Sequence, residues 1–335
     1  MKKRKTIKTR EPKRGAGIRF DWDFNHPPYH PSAPPARHFF QGESLARSLE
    51  LAIARADSLL FPASTRGVAP SNVQAVSGAI VAENNYSIEI HLEFRGIERK
   101  SHRLRLVVAR NDQELALMVK AEGRNLTAVA PRLPKQLAPP LAGGLLFLPD
   151  RHRRTGQNRR IPAYATRPIP ESLYCGIGGP EQFIAYSASP RLLSRDVTDK
   201  IKGRILEICM RSFDPRARTA MPPPDLQRGT LRLSARAGAA GEFVITGCPF
   251  LWDHMDHVGL IHRLTGFDWK EGDRGMPLLP ADHGLLREAM IIALGKPTSR
   301  EWLKEYAAAL EQGRYKPHHR FSLDALASLR ESLAR

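Results

Sequence analysis

Residues 86 to 94 read Tyr-Ser-Ile-Glu-Ile-His-Leu-Glu-Phe, with Tyr86, Ile88, Ile90, Leu92 and Phe94 alternating with Ser87, Glu89, His91 and Glu93. A period of two places successive side chains on opposite faces, so this stretch predicts a half-buried strand with one face on a core. After a turn around Gly96, Leu104, Leu106 and Val108 alternate with Arg103 and Arg105. That pattern predicts the second strand of a hairpin and turns both arginines outward. The run Leu-Ala-Leu-Met-Val at 115–119 is expected to add a third strand. A second hairpin is expected at 230–247, where Leu231 and Leu233 alternate with Arg232 and, further on, Arg236.

Helical periodicity takes over elsewhere. Leu45, Leu49, Ala52, Ala56 and Leu59 recur at helical spacing behind Ser44, a suitable N-cap. Between 194 and 213, Val197, Ile201, Ile205 and Ile208 form one stripe, while Lys200, Lys202, Arg204 and Arg211 are expected on other faces. The last ninety or so residues read as helical. Pro249 and Gly266 frame a helix at 249–265, Gly295 ends the next, Thr298 and Glu301 suggest a capping box for a third ending at Gly313, and Ser322 starts a fourth.

The fold class that follows is α+β, a mainly antiparallel sheet with packed helices followed by a helical C-terminal subdomain. The expected division is a basic, proline-rich extended leader at 1–37, ordered where Phe20, Trp22 and Phe24 dock, then an α+β domain at 38–225, then a hairpin and helical subdomain at 226–335. Residues 131–170 are proline-rich and predicted irregular, and 215–225 reads as a linker.

Charge is the strongest functional signal. The chain carries a formal net charge of +18, which attracts polyanions over long range. Eight Lys and Arg against one Glu lie within residues 1–14, including Lys2, Lys3, Arg4 and Lys5. A second block at 151–160 holds Arg151, Arg153, Arg154, Arg159 and Arg160 and no acid, interspersed with Thr155, Gln157 and Asn158. Arginine forks pair bidentately with phosphate, and the interspersed amides and hydroxyl can bond sugars or base edges. With Arg103, Arg105, Arg232 and Arg236 on outward hairpin faces, these residues compose the expected nucleic-acid surface.

A competing signal is Trp-Asp-His-Met-Asp-His-Val-Gly-Leu-Ile-His at 252–262. On one continuous helix, Asp253, His254 and His257 would share an inward face, a donor set suited to zinc, manganese or iron. The histidines stand three apart with no glutamate between them, unlike the H-E-x-x-H pattern, so hydrogen bonding within a helix bundle is the simpler role. Phosphate-binding and nucleophile-elbow motifs are absent. Cys175, Cys209 and Cys248 form no C-x-x-C pair, and no apolar run reaches membrane-spanning length.

The leading expectation is therefore a cytoplasmic RNA- or DNA-binding protein that grips phosphates, within an assembly that includes other protein subunits and no membrane. On this expectation it needs no cofactor and acts by binding, with the question of catalysis left to the alternatives. The alternatives are a metal-dependent hydrolase or nuclease centred on Asp253, His254 and His257, using a divalent metal, and a protein-interaction scaffold. Deleting residues 1–14 should weaken nucleic-acid binding and flatten the dependence of log K on log salt by about 0.7 to 0.9 per lost phosphate contact. Anisotropy titrations over a salt series measure this, and an unchanged slope would make the arm a solubilising tail.

Overall fold

The alternating stretch forms two paired strands in the computed structural model, which describes residues 18–24, 42–63, 68–83, 87–97, 100–109, 113–133, 135–149, 158–169, 172–178, 182–186, 190–224, 226, 230–234, 242–266 and 283–316. The chain divides into two compact units, one comprising Met1–Thr127 and Ala138–Pro170, the other Ala128–Leu137 and Glu171–Arg335. Both combine a sheet with helices, so the α+β reading holds.

In the first unit, strands β1 (Arg19–Asp23), β2 (Val73–Glu83), β3 (Ser87–Gly96), β4 (Ser101–Ala109), β5 (Pro140–Pro149) and β6 (Asn158–Thr166) form one sheet in the order β1-β2-β3-β4-β6-β5. Only β1 runs parallel to its neighbour. Val76, Ile90, Leu92, Phe94, Leu104 and Leu106 point into the core on one face. Helix α1 (Gly42–Ala54) contributes Leu45, Leu49 and Ile53 to this core. The helix is shorter than its apolar periodicity suggests, because Ala56 takes a left-handed backbone (φ 52°) and Leu59 and Leu60 are buried in the turn beyond it.

The aromatics expected to dock from the leader do so as a strand. Phe20, Trp22 and Phe24 stack with ring centroids 5.6 and 5.3 Å apart, and Trp22 Nε1 donates to Glu50 on α1 at 2.9 Å. Gly78 makes room for them: a Cβ there would lie 2.7 Å from the Trp22 ring and 2.8 Å from Leu92.

The expected third strand at 115–119 is instead part of helix α2 (Gln113–Val129). Val119, Leu126 and Val129 are buried at helical spacing, and Leu117 is exposed. A five-residue apolar window cannot reveal that longer period. Helix α2 crosses the second sheet face, where Tyr164 Oη donates to Glu122 at 2.8 Å. Under it Arg105 is buried against Glu89 at 2.8 Å, which corrects its outward placement. Burial first, then the nearby Glu122 charge, pushes the Tyr164 hydroxyl pKa well up.

The second unit contains β7 (Ser172–Ile177), β8 (Phe183–Tyr186), β9 (Arg191–Leu192), β10 (Leu231–Ser234) and β11 (Phe243–Ile245), antiparallel in the order β11-β10-β7-β8-β9. Arg232 is buried in β10, which is flanked on both sides, so it is not outward either. Helix α3 (Arg195–Ser212) starts at Ser194, whose Oγ accepts from the Val197 amide, and its Ile201–Ile205–Ile208 stripe is buried as expected. Lys202 is buried as well, against expectation, and the buried Glu207 is paired with Arg204 and Arg211.

The segment read as a linker is integrated into this unit. Asp214 and Thr219 close a turn, the Met221 amide donates to Ser212 Oγ at 2.7 Å, and Met221–Pro224 are buried. Helix α5 (His283–Leu294) packs on α3, and α4 (His257–Thr265) and α5 both pack on α6 (Lys296–Glu311). Gly266, Gly295 and Gly313 stand at or just past helix ends as expected. Helix α6 begins ahead of the anticipated capping box, with Pro297 in its first turn. The fourth helix expected from Ser322 lies outside the described residues. No helix among the described residues is long and apolar enough to cross a membrane.

One titratable group in the first core gives a pH signature. His102 on β4 stacks on Phe94 with centroids 4.4 Å apart, and its Nδ1 accepts from the Val68 amide at 3.1 Å. Burial lowers its pKa from the usual histidine value, against the opposing pull of the Leu60 backbone. The unfolded chain then binds this proton more readily, so stability is full above an unfolded pKa of about 6.5 and falls as pH drops below it. Denaturant melts over a pH series should show this loss, reduced in His102→Asn, which keeps an acceptor for Val68. Equal pH slopes for both proteins would rule out His102 as the source.

Candidate nucleic-acid interface

Arg159 and Arg160, the last two arginines of the 151–160 block, lie on a regular element. Strands β5 and β6 pair from Pro140 opposite Thr166 to Pro149 opposite Asn158, so residues 150–157 join two strands of a hairpin. The expected irregular connection at 131–170 is thus largely strand, after a short 3-10 turn at Ala130–Arg132. Prolines at 140, 149 and 162 obscured it: Pro140 and Pro149 terminate β5, and Pro162 lies opposite Leu145.

At the base of this hairpin the chemistry is explicit. Phe147 and Arg160 are register partners, and the Arg160 guanidinium lies 5.6 Å from the Phe147 ring centroid. Phe147 is 37% exposed and Leu145 is 42% exposed. The Phe147 carbonyl is held by Ser48 Oγ at 2.6 Å, tying the strand to α1. An exposed ring beside a guanidinium offers a stacking surface and a cation in one place. Arg159 also lies in β6, rather than in a loop.

The other anticipated cations divide. Arg103 is exposed on β4 and pairs with Glu93 at 3.4 Å. Arg105 and Arg232 are buried and contribute nothing to a surface. Lys2, Lys3, Arg4, Lys5, Arg151, Arg153, Arg154 and Arg236 lie outside the described residues. Phe147 was missed in the sequence because the apolar run around it shows no alternation. Arg19 and Arg95 were missed as well, although both continue alternating patterns, Arg19 with Asp21 and Asp23, and Arg95 with Glu93 and His91.

The histidine cluster is arranged differently from the expected helix at 249–265. Helix α4 starts at His257, with Asp256 as its N-cap accepting from the Gly259 amide at 2.8 Å. Asp253 and His254 precede it with 68% and 92% exposed side chains, and His254 has a left-handed backbone (φ 53°). They therefore share no helical face with His257. That residue is held by α6: Nε2 is 2.6 Å from Glu305, and its ring centroid is 4.9 Å from that of Trp302. His262 reaches Tyr306 at 3.3 Å.

Burial raises the pKa of Asp256, but the Gly259 amide and the Arg314 guanidinium outweigh it and leave the carboxyl below its ordinary value. Among the described residues, no three His, Cys, Asp or Glu side chains group so as to hold a metal ion. The three cysteines are buried and form no disulfide, and burial pushes the Cys175 and Cys209 thiols up, away from nucleophilic reactivity. No protein-family model and no curated protein matches the chain.

His257→Ala should destabilise the second unit by about 1 to 2 kcal/mol, since it strips Glu305 of its partner and leaves space beside Trp302. Asp253→Ala should stay within about 0.5 kcal/mol of wild type, as exposed positions do. Chemical denaturation of both variants checks this. Equal losses in the two, each accompanied by loss of a bound metal, would reinstate a shared metal site.

Proposed function

We propose that the chain binds nucleic acid along its phosphate backbone, with the β5–β6 hairpin as the principal contact. The observation that carries this reading is Phe147 beside Arg160 at the base of the β5–β6 hairpin, Arg160 lying in a strand that also holds Arg159 and directly follows the other three arginines in the sequence. A two-stranded ribbon can enter a groove, and its arginines can follow phosphates on either side. The exposed ring adds a platform on which an unpaired base can stack, so single strands gain more from it than duplexes do.

The basic arm and the formal charge of +18 support the reading by raising the encounter rate with any polyanion. The proposed setting is a cytoplasmic nucleoprotein assembly. His257 supports this reading by serving a structural role, since its ring is held against Glu305 and Trp302 of α6.

Fluorescence anisotropy with labelled single-stranded and duplex RNA and DNA, each over a salt series, tests the proposal. The variant Arg153→Ala, Arg154→Ala, Arg160→Ala should bind all of them more weakly, with a salt slope shallower by about 0.7 to 0.9 for each contact removed. Phe147→Ala should cost about 1 to 3 kcal/mol with single strands and little with duplexes. Thermal stability should hold in the triple variant, since Arg160 is exposed and exposed charges contribute little to folding. Wild-type affinity in the triple variant would refute the hairpin as the contact.

A further inference from the structure

The second face of the first sheet is covered by α2 only in part, and the remainder is organised by cross-strand register. On this face β1, β2, β3 and β4 line up Arg19, Ala75, Arg95 and Ser101 in one row. The next row is Asp21, Ser77, Glu93 and Arg103, and the third begins Asp23, Ala79 and His91. Because β2 contributes only Ala75, Ser77 and Ala79 to these rows, its side chains there form a low floor between the longer ones of β1 and β3.

Two adjoining concavities follow this floor, and Glu93 lines both. The first, about 490 Å³, is walled by Arg19, Arg95 and Lys100, with Gln74 and Ser101 as additional hydrogen-bonding groups. Arg19 and Arg95 stand two strand spacings apart, about 10 Å between Cα atoms, so both guanidinium forks reach a ligand above Ala75. Glu93 lies 3.4 Å from Arg95 and from Arg103, which orients both while leaving cations in excess at this end. The second concavity, about 310 Å³, is lined by Asp21, Asp23, Ser77 and His91 and by the Arg103–Glu93 pair, whose opposite charges offset each other and leave the two aspartates to set its sign.

The trough is thus cationic at one end and acidic with hydroxyl and imidazole groups at the other. A continuing run of phosphodiesters would place its next phosphate against Asp21 and Asp23, which repel it. A single phosphate followed by an uncharged, hydroxyl-bearing body meets complementary chemistry throughout, since carboxylates accept from hydroxyl donors. We propose that this trough binds a phosphomonoester of a sugar-like molecule, the phosphate between Arg19 and Arg95 and the hydroxyls against Asp21, Asp23 and Ser77. Such a group is carried by a free sugar phosphate, or by the 5′ end of a nucleic acid whose chain leaves the trough after its first sugar. The site stands on its own residues and does not require the hairpin contact.

Isothermal titration of the full chain with ribose 5-phosphate, ribose and inorganic phosphate, and with an RNA oligomer with and without a 5′ phosphate, tests the proposal. Ribose 5-phosphate should bind saturably and ribose should not. Arg19→Gln and Arg95→Gln should each weaken binding by about tenfold, equivalent to about 1.4 kcal/mol, with melting curves unchanged because both side chains are exposed. Asp21→Asn with Asp23→Asn should weaken ribose 5-phosphate without weakening inorganic phosphate.

A 5′-phosphate preference of the oligomer that disappears in Arg95→Gln assigns the group to nucleic-acid ends. Equal binding of the two oligomers, with ribose 5-phosphate still bound, assigns it to a free sugar phosphate. Retention of ribose 5-phosphate binding by the Arg153, Arg154 and Arg160 variant would separate this site from the hairpin. Absence of saturable binding by ribose 5-phosphate together with no 5′-phosphate preference, or undiminished binding in the double Arg19→Gln, Arg95→Gln protein, would overturn the proposal.

Discussion

The buried pairing of Arg105 with Glu89 beneath α2 is the constraint around which the first unit is arranged. A buried ion pair gains little net stability over well-packed apolar side chains, because both partners give up their hydration. Its effect is to specify. The Arg105–Glu89 pair ties β4 to β3, and Glu122 bonded to Tyr164 gives α2 one register over β6, since a slipped helix would leave the buried Glu122 carboxylate without that partner. The rest of that sheet face, toward β1, β2 and β3, keeps its long polar side chains for other uses. One strand, β3, therefore contributes to a dry core through Ile90 and Phe94, to a buried charge network through Glu89, and to a wet surface through Glu93 and Arg95.

Strand β5 occupies the sheet position farthest from β1, and its sequence, with exposed Leu145 and Phe147, is unusual for an outer strand. Outer strands commonly carry charge to discourage pairing with other chains. Here the charge comes from across the ladder, where Arg160 covers the Phe147 ring, and from the arginine block that β5 leads into. The same residues can thus serve two physical ends, keeping the strand from association and presenting cations to a polyanion.

The sequence was most legible where one face of an element is wet and the other dry. The alternation at 87–109 and the isoleucine stripe of α3 both behaved as their periods required, and helix-end glycines marked true ends. It misled where a second layer covers a polar face. Arg105, Lys202 and Arg232 sit at positions whose local pattern says outward, and only distant chain segments bury them. Local pattern also fails for Asp253 and His254: the apparent helix runs through them on paper, but Asp256 caps a helix that starts afterwards, as its side-chain bond to Gly259 dictates. The charge-zoned trough was invisible for a related reason. Each row joins a β1 residue to a partner more than fifty positions away, and no local window contains Arg19 and Arg95 together.

The order in which strands join the first sheet differs from their order along the chain. Strand β4 ends at Ala109, yet its second neighbour is β6, which begins at Asn158, after α2, the segment Ala128–Leu137 that belongs to the other unit, and β5. During synthesis from the N-terminus, β4 therefore emerges with one row of amides and carbonyls unsatisfied and remains so until some fifty further residues have followed it. A ribosome-bound chain in that interval presents a free ladder edge bearing Leu104, Leu106 and Val108, the kind of transient surface that chaperones engage and that pairs wrongly at high concentration. The hairpin that brings Arg160 to the surface is also the piece that closes this edge, so the completion of the sheet and the placement of Arg160 beside Phe147 are one event.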